Sequence, residues 1–299
     1  MPSKHISLIV HGSRADRPDL RHLVSWVRDK GHFVEPLMTF EVGDAAALAA
    51  DAARRGVDVV VAAGGDGTLN EVVNGLDGYD VPLGIIPVGT ANDFARQVGI
   101  PGDADHAMDV ILQRKPRRLD TASLNGRRFL NVSTGGVGAE ATAETPAEAK
   151  ETLGPVAYAI SGMRKFAEFH PYRARFVGDG FAYEGEFLMF AVGLTRSTGG
   201  GALVTPMASA TDGLLDLCIV ERMSRGEFAR TVLRVKRGEH MGHDGVHYVQ
   251  LRSVTIEGHE AIAVNVDGEY SNSKRLIYRA RARDLWVHVV RLPGESDCA

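Results

Sequence analysis

The sequence predicts two domains of different class. Residues 1–122 read as an N-terminal doubly wound, Rossmann-like α/β domain. Residues 123–299 read as a C-terminal, mainly antiparallel β-sandwich domain, whose last residues can pack back on the first. Three observations carry this expectation. Through the first third, short apolar runs alternate with segments of helical periodicity, the pattern of a parallel sheet with crossover helices. At Asn125-Gly126, two strand-like segments flank the strongest short-range hairpin signal. Beyond that turn strand patterns dominate and helical ones are few.

In chain order, Ile6–Val10 is strand-like, and Leu20, Leu23, Val24 and Val27 follow at i, i+3, i+4 and i+7, a helix ended by Gly31. Phe33–Phe40 reads as a strand in which Pro36 marks an edge or a bulge. Asp44 is placed to cap an alanine-rich helix running to Arg55 and closed by Gly56. Val57–Ala63 is apolar except for Asp58, as in a parallel strand covered on both faces. A helix from Thr68 to Leu76, a strand Pro82–Pro87 and helices Ala91–Val98 and Asp103–Arg114 complete the α/β pattern. In the second domain, Thr121–Leu124 and Arg127–Val132 form the hairpin. Strands follow at Arg173–Val177, Phe181–Leu194, Leu214–Val220, Tyr248–Glu257, Ala261–Val266, Leu276–Arg281 and Leu285–Val290. Pro155 suits the first turn of a helix reaching Phe169. Ser224 and Glu227 form a capping-box pair opening a helix to Arg237.

Composition narrows the function classes. A net charge of −4 offers no global basic excess to neutralise phosphates, which argues against nucleic acid as partner. The two cysteines, Cys218 and Cys298, are far apart and read as free thiols in a reducing compartment. Met1–Val10 lacks the pattern of a cleaved leader, and Leu188–Leu194, among the longest apolar runs, is only strand-sized. These features lead to the expectation of a soluble, cytoplasmic protein.

Chemistry concentrates in two glycine turns. Gly64-Gly65-Asp66-Gly67-Thr68 leaves a buried strand and enters a helix, where glycines let a phosphate approach and free N–H groups meet it. A tight turn with a helix cap is the plainer reading. A carboxylate such as Asp66 beside phosphates is tolerable if a cation bridges them, which implies Mg²⁺, or if it hydrogen-bonds a neighbour. A second turn, Gly84 to Phe94, repeats the arrangement, with Thr90 placed both to cap a helix and to donate to phosphate. The cleft between the domains is the expected site.

The pair Gly64-Gly65-Asp66-Gly67-Thr68-Leu69-Asn70-Glu71-Val72 and Gly89-Thr90-Ala91-Asn92-Asp93-Phe94-Ala95 resembles the diacylglycerol-kinase catalytic family, and within it the bacterial YegS-type lipid kinases. Gly43-Asp44-Ala45, Thr211-Asp212-Gly213-Leu214-Leu215-Asp216 and Val266-Asp267-Gly268-Glu269 extend the resemblance along nearly the whole chain. It implies an ATP-dependent kinase for a glycerolipid hydroxyl, such as that of diacylglycerol or phosphatidylglycerol, working transiently at the membrane surface. It implies nucleotide contacts from Thr39, Gly65, Asp66, Gly67, Thr68, Leu69, Asn70, Glu71 and Thr90. Glu269 matches the family's proton acceptor, with Asp66 holding metal or orienting the base. A bound Mg²⁺ of the second domain matches Ser209, Asp212 and Leu214, where only Asp212 offers a carboxylate. By its residues alone Glu269 reads first as a hairpin-turn carboxylate, since Asp267-Gly268 is turn-like, and only the resemblance turns it into a proton acceptor. Where relatives carry Asn-Pro after the first strand, this chain has His11-Gly12-Ser13-Arg14. A NAD kinase is the nearest enzymatic rival, because similar glycine–aspartate turns occur there. A non-catalytic nucleotide- or lipid-binding regulator is the rival of another class.

Other signals carry less. Gly136-Val137-Gly138-Ala139-Glu140-Ala141 imitates a dinucleotide fingerprint but lacks the acidic strand end that should follow it. Gly199-Gly200-Gly201 reads as a loop. His240, His243, Asp244 and His247 fit no standard zinc spacing. Arg230, Arg234 and Arg237 recur at i, i+4 and i+7, a basic stripe that is either a solvated face or a membrane-facing one.

Overall fold

The computed structural model describes residues 2–143, 170–199, 201–290 and 292. The helix expected over Pro155–Phe169, Gly200 and Cys298 lie outside them. The chain divides into two compact units, residues 1–121 with 282–299, and residues 122–281.

The first unit is built on four parallel strands in the order β4-β3-β1-β2: β1 (His5–His11), β2 (Phe33–Thr39), β3 (Val59–Gly64) and β4 (Leu83–Pro87). Every residue of β3 and β4 is buried, as the unbroken apolar runs require. β2 is the edge strand and accommodates Pro36 there. Helix α1 (Pro18–Asp29) starts with proline in its first turn, buries Leu20, Leu23 and Val27, and is followed by Gly31 at φ 84°. Helix α2 (Asp44–Arg54) buries four alanines. It meets α3 (Asp66–Gly75) so closely that a Cβ on Gly75 would lie 2.2 Å from the Ala46 carbonyl oxygen. Helices α4 (Asp93–Gln97) and α5 (Ala104–Gln113) follow, the latter capped by Asp103, which accepts from the His106 N–H at 3.0 Å.

Three local expectations change. Gly43, at φ 93°, is the N-cap of α2, and Asp44 instead pins the preceding turn by accepting the N–H groups of Phe40 (2.7 Å) and Glu41 (2.9 Å). Helix α3 starts at Asp66 rather than Thr68. Helix α4 starts at Asp93 rather than Ala91, because Asn92 at φ 49° is left-handed and Thr90 is therefore not the cap.

In the second unit every recorded strand pairing is antiparallel. β5 (Arg117–Leu124) turns through Asn125 and Gly126, both at positive φ, into β6 (Arg127–Phe129). Then come β7 (Val132–Gly136), α6 (Val137–Ala143), β8 (Tyr172–Gly178), β9 (Phe181–Gly193) and β10 (Leu215–Glu221). Helix α7 (Arg225–Arg237), β11 (Val246–Leu251), β12 (Ser253–Val266) and β13 (Glu269–Val287) complete it. Both β7 and β8 pair with β9 and with β12, at different stretches of those long strands. Two long bent strands shared in this way wrap the sheet around one core of Phe129, Phe176, Phe187, Phe190 and Tyr278. A second cluster, including Val132, Val220, Phe228 and Val235, seats α7 against β10.

The expected strand Tyr248–Glu257 is in fact two, broken at Arg252, whose backbone N–H is taken by the Asp179 carboxylate. Conversely, the segments expected at Leu276–Arg281 and Leu285–Val290 belong to the single strand β13 and the residues just after it. Arg283 at φ 50° lies within that strand. Its last residues belong to the first unit, where Val287 pairs with Leu83 of β4.

Candidate active site

In the first unit the carboxyl ends of the parallel strands share one edge, because the register pairs His11 with Thr39 and Gly64 with Pro87. Each strand therefore delivers its following turn to the same edge. After β1, the Gly12 N–H donates to Thr39 Oγ1 at 3.2 Å, and a Cβ on Gly12 would stand 2.2 Å from the Thr39 carbonyl oxygen. The small residue in His11-Gly12-Ser13 thus lets β1 and β2 meet at their ends. Thr39 is itself buried.

The turns after β3 and β4 touch backbone to backbone. A Cβ on Gly89 would fall 2.4 Å from Gly65 Cα and 2.8 Å from Asn92 Oδ1. The Val88 N–H donates to the Gly64 carbonyl at 3.1 Å. Asp66 ties the pair further: its carboxylate accepts the N–H groups of Asp93 (3.1 Å) and Phe94 (3.3 Å). The carboxylate therefore sits on the N-terminal turn of α4, where exposed amides favour negative charge. Asn92 closes the second turn on itself, accepting from the Gly89 N–H (3.1 Å) and donating to the Gly89 carbonyl (2.8 Å). A small hollow between the turns is lined by Gly64, Gly65, Asp66, Pro87, Asn92 and Ala95.

Not every residue expected at this site presents its side chain. Thr68, Leu69 and Asn70 are buried in α3, and Glu71 Oε2 accepts the Ala45 N–H at 3.2 Å on the first turn of α2. What Gly65, Gly67, Thr68 and Leu69 can offer a phosphate is the run of N–H groups that opens α3. Thr90 is exposed, and its carbonyl accepts from Arg96 at 3.3 Å. Asn92 was not among the expected contacts. Its signal, an asparagine one residue before a helix, is common to many turns.

Glu269 lies in the second unit, as the first residue of β13. It follows a two-residue turn in which Asp267 and Gly268 both have positive φ and Val266 pairs with Glu269. It is the turn carboxylate and also a presented one: half-exposed, it is paired with the Arg127 guanidinium from β6. Arg127 is 142 positions away, so sequence reading had no means of finding it.

Ser209, Asp212 and Leu214 share one loop of the second unit. Asp212 Oδ1 accepts the Leu214 N–H at 3.0 Å, and Ser209 Oγ bonds Thr211 Oγ1 at 2.9 Å. Beneath the loop Asp216 is buried, bonded by the Tyr248 hydroxyl (2.6 Å) and Gln250 (3.2 Å). Burial pushes its pKa up to about 6, offset by the Tyr248 and Gln250 bonds and reinforced by the negative charge of Asp212.

The remaining signals resolve into packing. A Cβ on Gly135 would strike the Phe190 ring, and one on Gly136, at φ 73°, would strike the Leu188 carbonyl, so these glycines serve β9. His240 is buried on the Val204 carbonyl at 3.0 Å, whereas His247 bonds Glu221 at 2.6 Å. Among the described residues no three His, Cys, Asp or Glu side chains gather as a metal site. Cys218 is buried, which raises its thiol pKa to about 12. No described helix is long and apolar enough to cross a membrane.

Comparison with known proteins places these features. Residues 5–124 match the diacylglycerol kinase catalytic domain, and residues 132–287 match the YegS C-terminal NAD kinase beta sandwich-like domain. The chain is 38% identical over 257 residues to the diacylglycerol kinase of Bacillus subtilis, covering 81% of this chain and 85% of that one. It is 35% identical over 295 residues to a Pseudomonas aeruginosa protein named "Probable lipid kinase YegS-like", covering 97% and 95%. A crystal structure of a diacylglycerol kinase from Bacillus anthracis superposes with a TM-score of 0.78 at 27% identity, over 97% of this chain and 98% of that one.

Proposed function

The chain belongs to the YegS-type lipid kinases of the diacylglycerol kinase family, and from that premise we propose how its residues divide the work of phosphoryl transfer. It is an ATP-dependent lipid kinase. Its acceptor, in our reading, is the free hydroxyl of a glycerolipid such as diacylglycerol or phosphatidylglycerol. The observation that carries the division is the backbone contact between Gly65 and Gly89, locked by Asp66 on the N–H groups of Asp93 and Phe94.

Phosphoryl transfer gives the protein little covalent work; positioning and charge stabilisation dominate. The N–H groups opening α3 from Gly65 through Leu69 take the phosphates, with Thr90 donating from the second turn and Thr39 and Glu71 completing the nucleotide contacts. Asp66 holds the two turns as one cradle, so that the donors keep their geometry as charge develops on the γ-phosphoryl oxygens. The acceptor oxygen attacks the γ-phosphorus, the bond to the β–γ bridging oxygen breaks, ADP leaves, and the hydroxyl proton passes to Glu269. Arg127 fixes the carboxylate that receives it.

The loop of Ser209, Asp212 and Leu214 has the chemistry of a hard-cation site: one carboxylate with the carbonyl oxygens of Ser209 and Leu214. The fit rests on that donor set, in which Asp212, whose Oδ1 accepts the Leu214 N–H at 3.0 Å, is the carboxylate. Mg²⁺ in this loop would supply structural charge neutralisation, and the nucleotide brings its own. The enzyme works in the cytoplasm, in brief contact with the membrane holding its acceptor.

The test is Glu269→Gln. It should bind ATP as the wild type does and lose at least about a hundredfold in transfer to lipid, as for loss of a general base. Labelled ATP offered with purified lipids and with NAD reads both acceptor and rival; full activity of the variant would refute the assignment.

A further inference from the structure

Helix α7 has a second, exposed face. Its inner face buries Phe228, Thr231 and Val235 against the sheet. Its start is fixed by a complete capping box of Ser224 and Glu227, and its end by Gly238 at φ 71°. At 100° per residue, Leu233 stands opposite that buried stripe. It is 65% exposed, among the most exposed large apolar side chains described. Of its four neighbours one turn away, three are cations, Arg230 at i−3, Lys236 at i+3 and Arg237 at i+4, and the fourth is the small Ala229 at i−4. Arg234 follows directly and is half-buried. Over Arg225–Arg237 five cations face a single acid, Glu227, in a protein whose net charge is −4.

A basic helix face that only kept the protein in solution would not need a leucine at its centre. An exposed leucine alone would be unremarkable. The combination, an apolar residue at the outer pole flanked by three cations on an amphipathic helix, is the chemistry of an interfacial helix on anionic lipid. We propose that the outer face of α7 docks the enzyme on anionic bilayers, Leu233 entering the acyl boundary while Arg230, Arg234, Lys236 and Arg237 pair with lipid phosphates. The inference rests on the lipid-kinase reading only in that a bilayer holds the acceptor. Charge complementarity supplies the rest: in a protein of net charge −4, this helix presents five cations against one acid to such a surface.

The test is sedimentation of the full-length protein with phosphatidylserine–phosphatidylcholine vesicles, without nucleotide or diacylglycerol. Each cation contributes about fivefold to partitioning on an anionic surface, so Arg230→Gln/Arg234→Gln/Arg237→Gln should weaken binding about a hundredfold. Leu233→Ser, which leaves every charge in place, should weaken it about tenfold. Both variants should keep wild-type turnover on a short-chain diacylglycerol dispersed as monomers. Binding by the triple variant within about twofold of wild type, or equal wild-type binding to pure phosphatidylcholine, would overturn the proposal. So would loss of turnover on the monomeric substrate, which would move these residues into the site itself. A wild type that docks on vesicles but phosphorylates no lipid would count against the kinase reading and leave the helix assignment standing.

Discussion

A methyl group at Gly89 has nowhere to go: the nearest atom, Gly65 Cα at 2.4 Å, is backbone and cannot swing aside. Gly89→Ala must therefore part the two turns. The expected cost is about 1–3 kcal/mol of stability, typical of forced overpacking. A drop in ATP affinity should accompany it, since the N–H groups of one turn lose their register with the other. Thermal unfolding with and without nucleotide reads both effects, and a variant that melts and binds like wild type would remove the contact from the argument. At this scale the sequence disclosed residue types but not partners. The glycines at 65 and 89 announced close approach without saying that they approach one another. Asp66 could be read as holding a metal, orienting the base or hydrogen-bonding a neighbour, but nothing in the sequence said that its carboxylate would accept from amides 27 and 28 positions later. Glu269 could be singled out by its motif, whereas Arg127 could not, because an exposed arginine 142 positions away has no local mark.

Elements were legible where local chemistry decides them. The capping box that opens α7 was readable from Ser224 and Glu227, and both of its bonds are present: Glu227 N–H to Ser224 Oγ at 3.4 Å and Ser224 N–H to Glu227 Oε2 at 3.0 Å. Ser224→Ala should cost about 1 kcal/mol and fray the first turn while leaving the helix seated by Phe228 and Val235. Urea unfolding should show a lower midpoint at unchanged slope, and an unchanged midpoint would mean the cap is redundant with that packing. Strand ends were less legible, because apolar alternation does not reveal where pairing stops. β12 continues through an irregularity between Glu257 and Ile262 that local patterning split in two. β13 carries only one fully buried apolar pair, Leu276 and Tyr278, in its first half, so the residues before Leu276 did not look like strand. Pairing with β12 makes them one.

At the scale of the whole molecule, residues 282–299 belong to the first unit although the residues before them belong to the second. The sequence allowed for that return without locating it, since parallel pairing of Val287 with Leu83 joins positions that share no turn. His288 anchors it. The imidazole is 2% exposed, its backbone N–H donates to the Leu83 carbonyl at 2.9 Å, and Nδ1 bonds the Arg114 carbonyl at 2.8 Å. A carbonyl can only accept, so Nδ1 carries a proton, and burial keeps Nε2 without one. Burial, with the nearby Lys4 charge, depresses the pKa from 6.5 to about 4, against the opposing effect of the Arg114 bond. The sign follows: above pH 6.5 neither the folded nor the unfolded ring is charged, and the anchor contributes in full. As pH falls toward 4 the unfolded chain takes up a proton that the folded one refuses, so stability is lost. The span corresponds to about 3 kcal/mol at most. His288→Gln, which keeps a donor without the titration, should be less stable than wild type at pH 7.5 and should lose less on going to pH 4.5. Thermal melts of both proteins across that range make the comparison, and parallel curves would show that the C-terminal return is held by β13 pairing rather than by this imidazole.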